Sequence, residues 1–530
     1  MDEEIETRGD GKVLLQASTR LSRSVLWDLQ REFFRRQAVL AWSGQRVPHY
    51  ITNNPVIAEA YARVVLGWLR DLANGNSPER RVHILELGAG SGRFAYRFLK
   101  ILQPLLGPEA PGGLQIRYVM TDFVEGNLEF WRSHPAFQPF VESGRLDFAL
   151  FQAESAGEIA LRVSGETLAE GTGTPLIVLA NYFFDSIPQD AFVVSEGQLH
   201  ERLVSVKSPR ADLEPGDPQL LDNVEVDFDH RPTEPDYYGD PDLDRILEEY
   251  RRSLPDTALL FPAAALQCLR HLAAISGNRL LLLSADKGYH REEDLLGRNE
   301  PAIAIHGSFS LSVNYHAIGR YVLHHGGQVL HPSHLPSSLV VSAFLLGTAG
   351  NGWTETRQAY DWAIDRWGPD DFFSFKERIE QSCDSLDVEQ VLSFLRLSGW
   401  DDEILMATFP ALSQGLEAAS EGLRREVRRA LAKVWDLYLP IGEERDVAFI
   451  VGTLLYQMGD YAEALLRFQR SFELHGPAAA TWYNLGACHY GLRRMDLALS
   501  NVEAALAQDP AFEPARALRI VITSELEATG

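Results

Sequence analysis

The stretch that most constrains this chain is residues 84–95, ILELGAGSGRFA, where an apolar run meets glycines at positions 88, 90 and 92. A strand that enters glycine-rich backbone and leaves as a helix sets amide N–H groups and a helix N-terminus at the carboxyl edge of a parallel sheet, where doubly wound folds bind ligands. A nucleotide-like ligand is therefore expected there. The dinucleotide fingerprint GxGxxG needs its third glycine at position 93, which is Arg93, so pyrophosphate cradling is disfavoured.

The surrounding pattern supports a layered α/β fold. Residues 22–41 carry apolar groups at helical spacing, the next segment SGQRVPHYITNNP breaks that spacing with an ordered-looking loop, and a helix is expected over 56–72. Four short apolar strands follow, RVHILEL, QIRYVMT, RLDFALF and PLIVLAN, with helical segments between the first three. That alternation predicts a parallel doubly wound sheet. Residues 209–241 are rich in Asp, Glu and Pro and read as a loop or lid rather than core. RLLLLSAD and the later GRYVLHHGGQVLH return the sheet, and past about Ser342 the strand signals give way to helical periodicity.

The C-terminal part repeats. Gly452 aligns with Gly486, Ala464 with Ala498 and Phe468 with Val502, each offset being 34 (486 − 452, for example). This period, with Trp482, Leu485, Gly486, Ala498, Ala505 and Pro510, resembles the tetratricopeptide repeat, a pair of antiparallel helices in which small residues permit close approach. Ala430 lies another 34 positions before Ala464, the mark of a degenerate earlier repeat, and PARALRIVITSELEA reads as a capping helix.

Charge and cysteine content narrow the partners. With 74 acidic against 49 basic residues and a net charge of −25, the overall field repels nucleic acid and anionic lipid. Short basic clusters such as Arg31, Arg35 and Arg36 fit solvated helix faces. Cys268, Cys383 and Cys488 are odd in number and far apart, which points to neither disulfides nor zinc and fits a reducing cytoplasm. The start, MDEEIETRGDGK, has no apolar signal region, and no window approaches a membrane span, so a cytoplasmic chain is expected. His306, His316, His324, His325, His331 and His334 crowd one region, but their spacing matches no tight metal motif, and no metal is expected.

Glu86, two residues before the first glycine, completes the pattern ExGxGxG, which resembles the first motif of class I S-adenosylmethionine-dependent methyltransferases. The resemblance implies backbone at Gly88, Ala89, Gly90 and Gly92 passing close under the methionine moiety. Asp122, 30 positions beyond Gly92 (122 − 92), ends the next strand, where a carboxylate can accept from both ribose hydroxyls. Gln152, the backbone of Ala153 and Glu154 end the third strand near an adenine edge, with the contact among them left open.

The fourth strand ends in VLANYFFDSIPQDAF. With LELGAGSGR, HYITNNP, LLLLSADKGYH and GSFSLSVNYHAIGRYVLHHGG, it resembles the MidA-like methyltransferase family, whose eukaryotic branch includes a mitochondrial arginine methyltransferase assisting respiratory complex I assembly. The likeness covers about residues 47–347. It implies S-adenosyl-L-methionine as cofactor, Tyr50 and Asn53 closing over it, and Asp286 at the family's Asp of "DYG". Tyr182 stands where the family often has Glu, Lys287 replaces the Tyr of "DYG", and Ser308 and Asn314 replace aspartates, so the cofactor motifs are better kept than those of the substrate side.

Asp185 is the first candidate to hold the acceptor and steer its proton, Asp286 the second, and Asn181 is placed to position the acceptor or the cofactor through its amide. The expected organisation is an N-terminal helical region with a cofactor-covering loop (1–75), a Rossmann-like methyltransferase domain (76–345) with an acidic insertion at 209–241, a helical linker or degenerate repeat (346–442), and an all-α tetratricopeptide-repeat-like domain (443–530). The reading is methyl transfer to a protein or peptide, at nitrogen, with arginine among the acceptors and no nucleic acid or membrane as partner. Two alternatives stand beside it: a non-catalytic scaffold whose repeats bind a partner protein, and a methyltransferase of a specialised-metabolism peptide or small molecule. Oligomeric state is open.

Overall fold

Val82, Ile84 and Leu85 are fully buried on β1 (Arg81–Leu87), the strand that feeds the glycine loop, because both faces of its sheet are covered. The computed structural model describes residues 7–8, 12–44, 46–74, 81–108, 110–210, 212–213, 217–305, 307–350 and 352–529. Two compact units emerge, Met1–Phe373 and Ser374–Gly530, so the helical segment expected at 346–442 is divided between them.

In the first unit β1 joins β2 (Gln115–Asp122), β3 (Leu146–Leu150), β4 (Leu176–Asn181), β5 (Leu280–Asp286), β6 (Gln328–Leu330) and β7 (Val340–Leu346) in one sheet of order β6-β7-β5-β4-β1-β2-β3. All neighbours are parallel except β7, which runs antiparallel to both β5 and β6. From β1 the chain builds outward through β2 and β3, then returns to the other side of β1 for β4. The reversal opens a crevice at the carboxyl ends of β1 and β4.

Three expectations need correction. A second sheet, antiparallel, takes the order Thr7–Arg8, Lys12–Arg20, Gln198–Ser208, Asp190–Ser195, Thr257–Phe261, and Glu225–Pro232 pairs with Gln198–Ser208. The acidic insertion at 209–241 is thus not a plain loop or lid. Val226 and Phe228 alternate with exposed acids at a strand's period of two, and Leu220, Leu221 and Val224 pack with Leu26 and Trp27 in a core. Second, strand structure continues past Ser342, because the run 340–346 is apolar but for Ser342 and buried throughout, a pattern that a buried helix shares. Third, GRYVLHHGGQVLH opens as the end of a helix (Tyr315–His324), with only the short β6 after it.

The N-terminal elements serve the crevice. Ser24 caps the helix Val25–Gln37, whose buried Leu26, Trp27, Leu29 and Phe33 seat it on the second sheet. Asn54 caps the helix Pro55–Asn74 by accepting from the amides of Val56 and Ile57 at 3.0 and 3.1 Å, so the chain turns sharply just before it. That turn sets residues 47–53 over the sheet edge.

The second unit is all helical. Val447–Gln457 packs on Tyr461–His475, Ala479–Gly491 packs on Met495–Gln508, and Glu513–Thr529 follows. Any side chain at Gly452 would strike the Phe468 ring at 2.9 Å, and one at Gly486 would strike Val502 at 2.8 Å. The two contacts are equivalent, 34 positions apart (486 − 452 and 502 − 468), so the sequence period is a period of packing. Among the described residues no helix is long and apolar enough to cross a membrane.

Candidate functional site

The glycine loop is held in a shape that side chains resist. Gly88, Gly90 and Gly92 have φ of 64°, 53° and 77°, and a Cβ at Gly90 would lie 2.8 Å from the Trp42 ring. Neighbouring strands fasten the loop: Ala89 donates its amide to the Thr121 carbonyl at 2.8 Å, and the Trp131 indole donates to the Gly90 carbonyl at 3.0 Å.

Beside the loop lies a cleft enclosing about 1540 Å³ of empty space, its open mouth included. Its walls bring together Glu86, Gly88, Ala89, Gly90, Asp122, Gln152, Ala153, Asn181 and Asp185, drawn from the carboxyl ends of four strands. Three other sequence candidates do not line it. Gly92 sits at the foot of the turn, at the N-cap of the helix Arg93–Leu106, with Met120 where its Cβ would be. Tyr50 turns away toward Phe373, their ring centroids 6.5 Å apart, and its neighbours His49, Thr52 and Asn53 face the cleft instead. Asp286 is fully buried behind the wall.

Asp122 is nearly all buried and already holds three donors: Val124 N on Oδ1 at 3.0 Å, and Gly90 N and Asn127 Nδ2 on Oδ2 at 3.2 and 3.0 Å. Burial raises its carboxyl above the ordinary Asp range, and these hydrogen bonds oppose the rise. The Phe123 amide bonds to the same carboxyl, and the Gly90 contact fixes the glycine loop to one of its oxygens.

Glu86 is as closely enclosed. Burial pushes its carboxyl up to about 8, with the Asp122 charge adding to the rise and a 2.8 Å hydrogen bond from the Tyr118 hydroxyl opposing it. It is therefore largely protonated at neutral pH and presents a neutral group to the cleft. Asn181 accepts from the Tyr61 hydroxyl at 2.7 Å and donates to the Thr52 carbonyl at 3.2 Å, which leaves one N–H and one lone pair for a ligand. After it, Tyr182 takes φ of 49°, a left-handed conformation unusual for a bulky residue and common where function holds strain.

Asp185 follows on the short turn Phe184–Ser186, where the Ser186 hydroxyl donates to its Oδ1 at 2.8 Å. Burial pushes its carboxyl up to about 6, opposed by hydrogen bonds from Ser186 and Asp286 and by the Lys287 charge. Lys287 lines the same wall and is exposed.

Trp42, Phe34, Tyr61 and Tyr118 went unrecognised in the sequence. Phe34 stacks on Trp42 with centroids 5.7 Å apart, forming an aromatic wall opposite Phe123, and both come from N-terminal segments far from the motifs. The histidines find separate partners: His316 the Tyr250 hydroxyl at 2.9 Å, His324 the Glu249 carboxylate at 2.9 Å, His331 the Ser342 hydroxyl at 2.8 Å. His306 lies outside the described residues. Among the described residues no three His, Cys, Asp and Glu side chains gather as a metal site.

No curated protein matches the chain. Among solved structures, it is similar to a superfamily member from Burkholderia thailandensis bound to S-adenosyl-homocysteine, with 15% identity and a TM-score of 0.40 over 64% of this chain and 90% of that one. A native structure of a protein from the same superfamily and organism shares 16% identity with a TM-score of 0.37, over 63% and 95%. Residues 158–323, which carry Asn181, Asp185 and Asp286, match the model of the family described as "Putative S-adenosyl-L-methionine-dependent methyltransferase".

Proposed function

We propose that this protein transfers a methyl group from S-adenosyl-L-methionine to a nitrogen of a protein or peptide. The observation that carries this reading is the meeting, in one cleft at the sheet's reversal point, of the ExGxGxG backbone, Asp122 and the Asn181–Asp185 loop. The residues fit the cofactor: the side-chain-free backbone at Gly88 and Gly90 lines the cleft, the Asp122 carboxyl stands beside it for the ribose, and Gln152 and Ala153 edge the place for an adenine.

When bound, S-adenosylmethionine supplies an electrophilic methyl carbon on a positively charged sulfur. What the chain must do is align and shield. Trp42, Phe34 and Phe123 give the cleft an apolar wall that excludes water, while Asn181, tied to Tyr61 and Thr52, fixes the helix-bearing loop against the strand ends. Asp185 orients the acceptor nitrogen and accepts its proton, a role suited to a carboxyl held at about 6. The repeating hairpins of the second unit, which we take as tetratricopeptide-like, favour a protein or peptide over a small metabolite because such stacks bind extended chains. Arginine stands as one candidate acceptor, by the MidA-like resemblance, and the cytoplasm as the compartment.

The test is transfer from methyl-labelled S-adenosylmethionine, by the full chain, to a peptide array and to a pool of free amino acids and small amines. Label on peptides is the expected outcome. Label confined to the small molecules overturns the protein acceptor, and no transfer to either speaks for the scaffold reading.

A further inference from the structure

The two carboxyl groups at the acceptor wall are a matched pair. Asp286 ends β5 and Asp185 follows β4; the strands are neighbours with Ala285 opposite Asn181, and Tyr182 donates its amide to the Ala285 carbonyl at 2.9 Å. This pairing brings the carboxyl groups into hydrogen-bond contact, one facing the cleft and one wholly buried. Two adjacent carboxylates repel, so contact of this kind holds a proton between them.

The buried member is braced from three elements. The Tyr315 hydroxyl, on the helix Tyr315–His324, lies 3.4 Å from Asp286 Oδ2 and 2.7 Å from the Ser284 hydroxyl, which donates to the Ala180 carbonyl at 2.8 Å. Amides of Phe183 and Phe184 point at Asp286 from the loop, and Tyr61 stands near it on the helix Pro55–Asn74. The charged and titratable groups facing the pair are therefore Lys287, Tyr182, Tyr61 and Tyr315. Burial, with the neighbouring carboxylate, raises Asp286 well above the ordinary carboxyl range, so of the two groups it is the wholly buried one that holds a proton when the cleft-facing Asp185 ionises.

We propose that Asp286 is a positioning residue holding a proton against Asp185, so that an entering sulfonium finds Asp185 ionised, displacing its proton in acid solution, and Asp185 takes a proton from the acceptor when the methyl group leaves. The proposal rests on the methyltransferase reading. In the transfer, the nitrogen lone pair forms the N–C bond, the C–S bonding pair stays on sulfur, which becomes neutral, and the N–H proton passes to an Asp185 oxygen. The loss of positive charge at sulfur raises the pair's affinity for a proton as the acceptor must shed one.

The linkage has a definite sign. Asp185 ionised is the form a cation favours, so S-adenosylmethionine affinity should be full above about pH 6 and fall below it. S-adenosylhomocysteine, with no charge on sulfur, should not weaken. Glu86 and Asp122 face parts that the two nucleosides share, so their titration cancels in the comparison.

Calorimetric titration of the full chain with each nucleoside, at pH 5.5 and 7.5 in two buffers of different ionisation enthalpy, reads both affinity and protons. The expected result is proton release at pH 5.5 with S-adenosylmethionine only, and about threefold weaker binding of that ligand alone, as a one-unit displacement of a titration near 6 gives at that pH. Asp185→Asn should abolish both differences. Asp286→Asn, which keeps a donor toward Asp185, should preserve them, and Asp286→Ala should move the fall in affinity to higher pH. Equal proton exchange by the two nucleosides, or the S-adenosylmethionine-specific release surviving in Asp185→Asn, overturns the proposal. An unmoved profile in Asp286→Ala overturns the positioning role. Binding of neither nucleoside overturns the methyltransferase reading itself.

Discussion

Gly90→Val is expected to weaken S-adenosylmethionine binding by at least a hundredfold, about 2.7 kcal/mol, while leaving the protein folded. Gly90 holds φ of 53°, where a β-branched residue is strained by roughly 1–3 kcal/mol. Its Cβ would also stand 2.8 Å from the Trp42 ring, which stacks on Phe34 and cannot withdraw without opening the aromatic wall. The loop has two ways to relieve the clash, by flattening, which breaks the 3.2 Å bond from Gly90 N to Asp122, or by displacing Trp42. Each distorts the space a nucleoside would occupy. Filter binding with labelled cofactor measures the loss, and circular dichroism reports the fold. Near-parental affinity would mean that the ligand lies elsewhere.

Asp185→Asn is expected to reduce turnover of labelled peptide by about 10²–10⁴-fold, with S-adenosylhomocysteine affinity within a few-fold of the parent. The amide keeps the shape and the contact with Asp286 but accepts no proton at neutral pH. Single-turnover transfer to an acceptor from the peptide array measures it. Unchanged turnover would remove Asp185 from the chemistry and shift attention to Lys287 and Tyr182, which share its wall.

The parts of the fold legible in sequence are those whose causes are local. β1 to β5 are short apolar runs ended by turn residues, and the glycine spacing announces a backbone that no side chain can follow. What escaped notice depends on distant pairing. The strand Lys12–Arg20 is joined to its sheet by the distant Gln198–Ser208, and the acids alternating with Val226 and Phe228 mask an edge strand inside what composition makes look like a loop. Glycine spacing does not tell which glycine lines the cleft: Gly88 and Gly90 do, and Gly92 serves the helix start. Sequence places the segment of Tyr50 at the cleft but not its faces: on this one-turn helix Thr52 and Asn53 line the cleft, and Tyr50 meets Phe373. Trp42 and Tyr61 carry no local signal at all; packing alone brings them to the site.

The departures on the acceptor side acquire a physical meaning in the structure. Lys287 places a cation beside Asp185, and Tyr182 occupies the strained position after Asn181.

The central claim, that the cleft binds the cofactor, is tested most directly by calorimetric titration of the purified chain with S-adenosylmethionine and S-adenosylhomocysteine, beside Asp122→Ala. Micromolar binding by the parent, about −8 kcal/mol, lost in the variant, is the predicted result. A well-folded parent that binds neither nucleoside would contradict the account and leave a scaffold whose cleft is the remnant of another use.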